Sequence, residues 1–424
     1  MSLFNRNSQQ TNTPVTPLNV LSSQPLVICT GLSGNELYCV AMAGYTPGNI
    51  LVGNSVYSLG ALGGIASNLH AAFGGEVPQY TNMISEGRRL GLQRLETELR
   101  QANAIGATGV TSEVIFHPGN VEFLSIGSSL YSRDTTTLTD DYMTSSADGQ
   151  ELFCQIDAGF QPMRLAFGNV AYSIGLARNL LGSLRQMAHG EVTEYSNAFT
   201  VTRNLALQRI SDDARAINAN SVVGIRTTIV PVGDNGIQEM MMLGTASYHA
   251  GLTMIAQQAG GVITSDLTAE EMWNVMRMGC APMQLVLGTS VYSLGVIGGV
   301  KAALRGIAKG EVTTLTEMVY GAREKSLKKL QDQAASIGAD MVVGIKTYIY
   351  QVGSELIEFL AIGTAVKRVD GLVPRSDQLP PQAIIRDKST FIDTTRQAFG
   401  AEISHLASGV GTDTTTRNTQ HNLN

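Results

Sequence analysis

The chain has 424 residues, 43% of them hydrophobic and only 15% charged, with a formal net charge of −6. At roughly 100–200 residues per domain this allows two to four domains. The acidic balance, with no basic footprint, excludes a nucleic-acid-binding role. The aliphatic content excludes wholesale disorder. A chain this poor in charge either has little free surface or hides much of it in contacts.

Residues 1–24 are rich in Asn, Gln, Thr, Ser and Pro and read as a flexible arm without a secretory signal. No run of 18 apolar residues occurs, so no membrane span is expected. Cys29, Cys39, Cys154 and Cys280 form no CxxC pair and are too few for a disulfide scaffold, which points to the cytoplasm.

Internal repetition is the strongest signal. Leu51-Val-Gly-Asn-Ser-Val-Tyr-Ser-Leu-Gly60 returns as Ala166-Phe-Gly-Asn-Val-Ala-Tyr-Ser-Ile-Gly175 and as Val286-Leu-Gly-Thr-Ser-Val-Tyr-Ser-Leu-Gly295, at spacings of 115 and 120 residues. Gly75-Glu-Val77, Gly190-Glu-Val192 and Gly310-Glu-Val312 keep those spacings. The period suits three small domains, at 25–132, 148–249 and 265–368, followed by an extension over 369–424.

Each copy opens on a capping box: Ser33 with Glu36, Asp148 with Glu151, Thr268 with Glu271. A short helix follows and is broken at Gly44, Gly159 and Gly279, each three residues before a proline. The apolar run ending in Tyr-Ser reads as a buried strand. The Gly- and Ala-rich segments Gly60–Gly75 and Gly295–Gly310 read as helices whose Gly63, Gly64, Gly298 and Gly299 admit another backbone at close range. A longer helix is predicted over about 79–105, 194–217 and 314–337. It ends at Gly106, Asn218 and Gly338, with three extra residues in copy one. A hairpin closes each copy, turning at Pro118–Asn120, Gly233–Gly236 and Gly353–Ser354. The expected class is α+β: three tandem β-α-α-β-β units, each an antiparallel sheet covered by helices.

The run Leu327-Lys-Lys-Leu-Gln-Asp-Gln-Ala-Ala-Ser-Ile-Gly-Ala-Asp-Met-Val-Val-Gly-Ile345, followed by Ile362-Gly-Thr-Ala-Val366, resembles the YbjQ family, which carries a heavy-metal-binding label. Copy two matches through Ala219-Asn-Ser-Val-Val-Gly-Ile225 and Gly244-Thr-Ala246. Copy one is more divergent, with Gly109-Val-Thr-Ser112 and Gly127-Ser-Ser129. The resemblance implies a dodecin-like unit assembling as a five-membered ring.

A metal site would place His, Cys or clustered carboxylates at equivalent positions. None of the six histidines recurs in all three copies, so no metal and no cofactor is expected. The Tyr-Ser pairs at 57–58, 172–173 and 292–293 lack a recurring histidine, so no catalytic residue is assigned. The polar residues that do recur are Glu76, Glu191 and Glu311; Arg88, Arg203 and Arg323; and Glu122, Glu239 and Glu358. They read as a repeated polar interface or as the lining of a groove.

The expected function is therefore a non-enzymatic, ring-forming homo-oligomer, with itself as partner. The alternative is a small-ligand or heavy-metal-binding module with sites between domains. Three copies do not divide a five-membered ring. The expected solution is three stacked rings from five chains, each copy meeting its own kind, with linkers near 132–147 and 250–267 stepping between layers. The rival is one ring shared by all three copies.

Overall fold

The computed structural model describes residues 27–58, 75–133, 142–173, 191–232, 237–293, 313–352, 356–369 and 371–379. The expected Gly-rich helices, with Gly63, Gly64, Gly298 and Gly299, lie outside them, as do Glu311 and the turns at 233–236 and 353–355. Copy one runs α1 (Gly34–Met42), β1 (Tyr45–Ser58), β2 (Gly75–Glu76), α2 (Pro78–Gln101), β3 (Gly106–His117) and β4 (Asn120–Ser132). After β5 (Met143–Thr144), copy two runs α3 (Gly149–Asp157), β6 (Gln161–Ser173), α4 (Thr193–Arg215), β7 (Ser221–Pro231) and β8 (Ile237–Tyr248). After α5 (Thr253–Gln258) and β9 (Ile263–Thr264), copy three runs α6 (Ala269–Arg277), β10 (Cys280–Ser293), α7 (Thr313–Ser336), β11 (Met341–Val352) and β12 (Leu356–Arg368).

Local chemistry starts and stops these elements. All three capping boxes are formed, each with the side chain of Ser33, Asp148 or Thr268 accepting from an orphan amide and the Glu reaching back. Gly44, Gly159 and Gly279 take φ of 90°, 94° and 74°, turning each short helix into its strand. In each sheet the first strand pairs with the last, and the last with the middle one, all antiparallel: β1-β4-β3, β6-β8-β7 and β10-β12-β11. The register is common to all three, with Val56 opposite Glu122, Ala171 opposite Glu239 and Val291 opposite Glu358.

Two details differ from the sequence reading. The left-handed residue that ends α2 is Asn103 (φ 53°), matching Asn218 (φ 60°) and Gly338 (φ 70°). Asn adopts that conformation readily. Gly106 is instead the first residue of β3, so copy one has no three extra residues in this helix. The linkers also form strands: β5 pairs in parallel with β3, and β9 with β7.

The long helix of each copy lies across its own first strand. The approach is close because that strand carries Gly53, Gly168 or Gly288 at the crossing. A Cβ at Gly168 would collide with the Ala206 carbonyl and the Ile210 amide of α4. Both are backbone groups, so no side-chain rotation relieves the clash. Gly168→Ala is expected to lower unfolding free energy by about 1–3 kcal/mol. Gly34→Ala, at a site where an added Cβ meets nothing, serves as the near-neutral control in the same denaturant titration.

Candidate assembly interface

Six of the recurring polar residues, Glu76, Glu191, Arg88, Arg203, Glu239 and Glu358, meet a partner in the neighbouring copy. Arg88, on α2 of copy one, reaches Glu239 on β8 of copy two at 3.0 Å. Arg203, on α4 of copy two, reaches Glu358 on β12 of copy three at 2.7 Å. Both pairs are buried, with Arg203 and Glu358 fully enclosed. Arg203 donates from Nε and Nη2 to Glu358, and its guanidinium lies 4.7 Å from the centre of the Tyr172 ring. Burial pushes the Tyr172 phenol up to about 12, against the lowering effect of Arg203. Glu239 is held from its other oxygen by Asn169 at 3.2 Å. Arg88 donates its remaining Nη1 to the Ser112 carbonyl at 2.8 Å.

The main chain makes the same joint. β2 of copy one pairs antiparallel with the end of β6, setting Glu76 opposite Tyr172; Glu191 bridges to Tyr292 in the same way. Val77 donates to the Ala171 carbonyl at 2.7 Å, and the Ala171 amide donates to Thr81 at 2.9 Å. One joint further on, Val192 donates to the Val291 carbonyl at 2.7 Å and Val291 donates to Ser196 at 2.9 Å. Glu76 pairs with Arg209 and Glu191 with Lys329, each at 2.7 Å. Burial raises the Glu191 carboxyl, but hydrogen bonds from Lys329 and Ser196 and the lysine charges hold it below the usual range.

Apolar packing fills the rest. Val110 of β3 clusters with Leu165, Phe167, Met241 and Leu243 of copy two. Ile225 and Ile229 of β7 cluster with Leu285, Leu287, Leu360 and Ile362 of copy three. The linkers complete the joint. Ser146 and Asp266 donate their amides to the hydroxyls of Thr245 and Thr364, each at 3.1 Å. Sequence reasoning noted these threonines only as part of the Gly-Thr-Ala pattern; their contacts make them anchors for the incoming linker. The linkers are thus hydrogen-bonded to the preceding sheet and pinned to the next. They hold successive copies of the chain flank to flank.

Cys39 on α1 and Cys154 on α3 are buried, and burial together with nearby carboxylates pushes both thiols up, Cys39 to about 11. Among the described residues no three His, Cys, Asp or Glu side chains are grouped to hold a metal ion. No helix among them is long and apolar enough to cross a membrane.

A family model described as "Putative heavy-metal-binding", that of YbjQ, matches residues 45–121, 160–249 and 275–369, and the chain belongs to that family in three tandem copies. It is 33% identical over 216 residues to an encapsulin nanocompartment protein of Mycobacterium tuberculosis, covering 50% of this chain and 80% of that protein. It is 39% identical over 79 residues to a UPF0145 protein of Vibrio campbellii, covering 19% of this chain and 75% of that one. A UPF0145 protein of Thermosipho africanus matches at 40% over 83 residues, covering 20% of this chain and 77% of that one.

Breaking the joint from one side strands a buried charge. Arg203→Met is expected to cost about 3–5 kcal/mol, and the double variant Arg203→Met with Glu358→Leu to recover most of it. Denaturant unfolding of the three proteins measures this cycle.

Glu270 on α6 gives a pH signature. Burial, then Glu151 and Asp148, push its carboxyl up to about 7. Between its ordinary value near 4.5 and that value, the folded state holds a proton that the unfolded state has lost. Stability from this group is therefore full below pH 4.5 and falls as pH rises to 7. Glu270→Gln should flatten that fall, on the order of 1–3 kcal/mol, in melting curves taken from pH 5 to 8.

Proposed function

We propose that the protein is a non-enzymatic, cytoplasmic, ring-forming homo-oligomeric assembly or scaffold protein. One observation carries this reading: a single head-to-tail joint is made twice within one chain, between copies one and two and again between copies two and three. A heterologous joint of this kind propagates until it closes on itself. The relative named as a nanocompartment protein supports an assembly role. Arg88 with Glu239 and Arg203 with Glu358 occupy one another, which favours assembly over a ligand groove.

The expected domain divisions at 25–132, 148–249 and 265–368 stand as part of this proposal, with 142–147 and 262–267 shared by the neighbours they join. Flank-to-flank copies favour one shared ring over three stacked pentamers. Each chain then adds three domains, so two chains of 45.1 kDa, about 90 kDa, would give six. Native mass spectrometry tests this. A mass of two or three chains is expected. Five chains, about 225 kDa from 45.1 kDa each, with five-fold class averages, would reinstate the stacked rings. A single-chain mass at micromolar concentration would overturn the assembly reading.

A further inference from the structure

We infer that the two outer flanks of the chain are the separated halves of the joint it already makes twice, and that a second copy of the chain supplies the missing half. The flank around Arg323 of one chain receives the flank around Glu122 of the next. This rests on the assembly reading and names its contact surface.

The charged halves are in place. Arg323 takes the α7 position that Arg88 takes on α2 and Arg203 on α4. Those two are buried in ion pairs, whereas Arg323 is exposed and has no ion-pair partner among the described residues. Glu122 takes the place of Glu239 and Glu358 in the shared register. Asn54 holds its Oε1 at 2.9 Å, as Asn169 holds Glu239. Its Oε2, the atom that binds Arg88 in copy two, lies 2.9 Å from the half-exposed His117 of its own hairpin. Those two hydrogen bonds hold the Glu122 carboxyl below the usual range, so it is ionised and ready for a guanidinium.

The apolar halves match too. On β1, Val52 and Val56 are 41% and 56% exposed, while their counterparts Phe167, Ala171, Leu287 and Val291 are buried. On β11, Ile345 and Ile349 are 45% and 63% exposed, while Val110, Val114, Ile225 and Ile229 are buried. Each exposed set is what the other covers in the two joints already formed.

The strand halves complete the match. Counted back from the capping residues Ser33, Asp148 and Thr268, Ile28 and Cys29 occupy the positions of β5 and β9. Gly31 donates to Ser128 at 3.0 Å, just as Ser146 and Asp266 donate to Thr245 and Thr364. Residues 28–31 are thus already laid on copy one as an incoming linker. The strand they would pair with, in the registers Ser221 to Ile263 and Val222 to Thr264, is β11 of another chain, with Met341 opposite Ile28 and Val342 opposite Cys29. An open strand edge is a pairing template. Three kinds of complementarity in one register select a second copy over an unrelated protein.

Charge reversal tests the joint in the full-length chain. Arg323→Glu alone and Glu122→Arg alone should each reduce the native mass to one chain. Both positions lie at the outer flanks, so circular dichroism should be unchanged. The double variant Arg323→Glu with Glu122→Arg should regain the wild-type mass, because every joint in it then pairs opposite charges whatever the number of chains. If either single variant keeps the wild-type mass, or the double variant stays at one chain, this joint is wrong while the assembly reading stands. A wild-type chain that is itself monomeric removes both.

Discussion

A guanidinium taken out of water between two domains constrains everything around it. Arg203 is fully enclosed, and a buried charge is tolerated only when paired and hydrogen-bonded. Its partner Glu358 is fixed by the β10–β12 register opposite Val291. Val291 is in turn the residue whose amide and carbonyl bind Ser196 and Val192 at the start of α4. Helix, sheet and neighbouring copy therefore meet in one geometry. A slip of one residue in either strand would turn the carboxylate to the opposite face of the sheet and leave Arg203 unpaired.

The two joints are built to the same plan with different chemistry. Between copies two and three, Glu358 receives two nitrogens of Arg203, and the guanidinium lies against two aromatic rings, Tyr172 and Phe199. Between copies one and two, Arg88 makes one ion pair and spends Nη1 on Ser112, while Arg89 adds a second pair to Asp213 and lies over Phe167. Arg89 has no basic counterpart, since Asn204 and Glu324 hold its place. The repeated plan sets the geometry, and the substitutions around it set how dry each joint is.

The parts of this fold legible in the sequence are those decided locally. Capping boxes, helix-breaking glycines and apolar runs act over a few residues, and all three short helices and three first strands followed from them. The recurrence of Arg88, Arg203 and Arg323 beside Glu122, Glu239 and Glu358 marked the interface residues but not their pairing. Partners lie 151 and 155 residues apart, and in a repeated chain an arginine has a carboxylate at the same relative place in every copy. Only the packing chooses the next copy. β5 and β9 escaped notice because two residues are too short for any alternation to register. The end of α2 was misplaced because Gly106 is a more obvious stop than Asn103, although both residue types tolerate the left-handed conformation.

The scarcity of charge has its origin in the same geometry. The long helix of copy two packs on its own sheet and also on β10 of the next copy, so both of its faces are occupied. A domain covered on two flanks needs fewer charged residues than one standing alone, and the exposed apolar side chains at the two outer flanks follow the pattern of a domain built to be covered. A head-to-tail joint carries no internal stop. What ends the series is the rotation accumulated per step, which must return the last flank to the first or wind on as a filament. Fusing three copies into one chain makes two of every three joints intramolecular, so that they form at an effective concentration set by the linker. In the ring proposed above, the third joint alone depends on protein concentration, and assembly is reduced from the docking of many small domains to one contact per chain, between the Arg323 and Glu122 flanks.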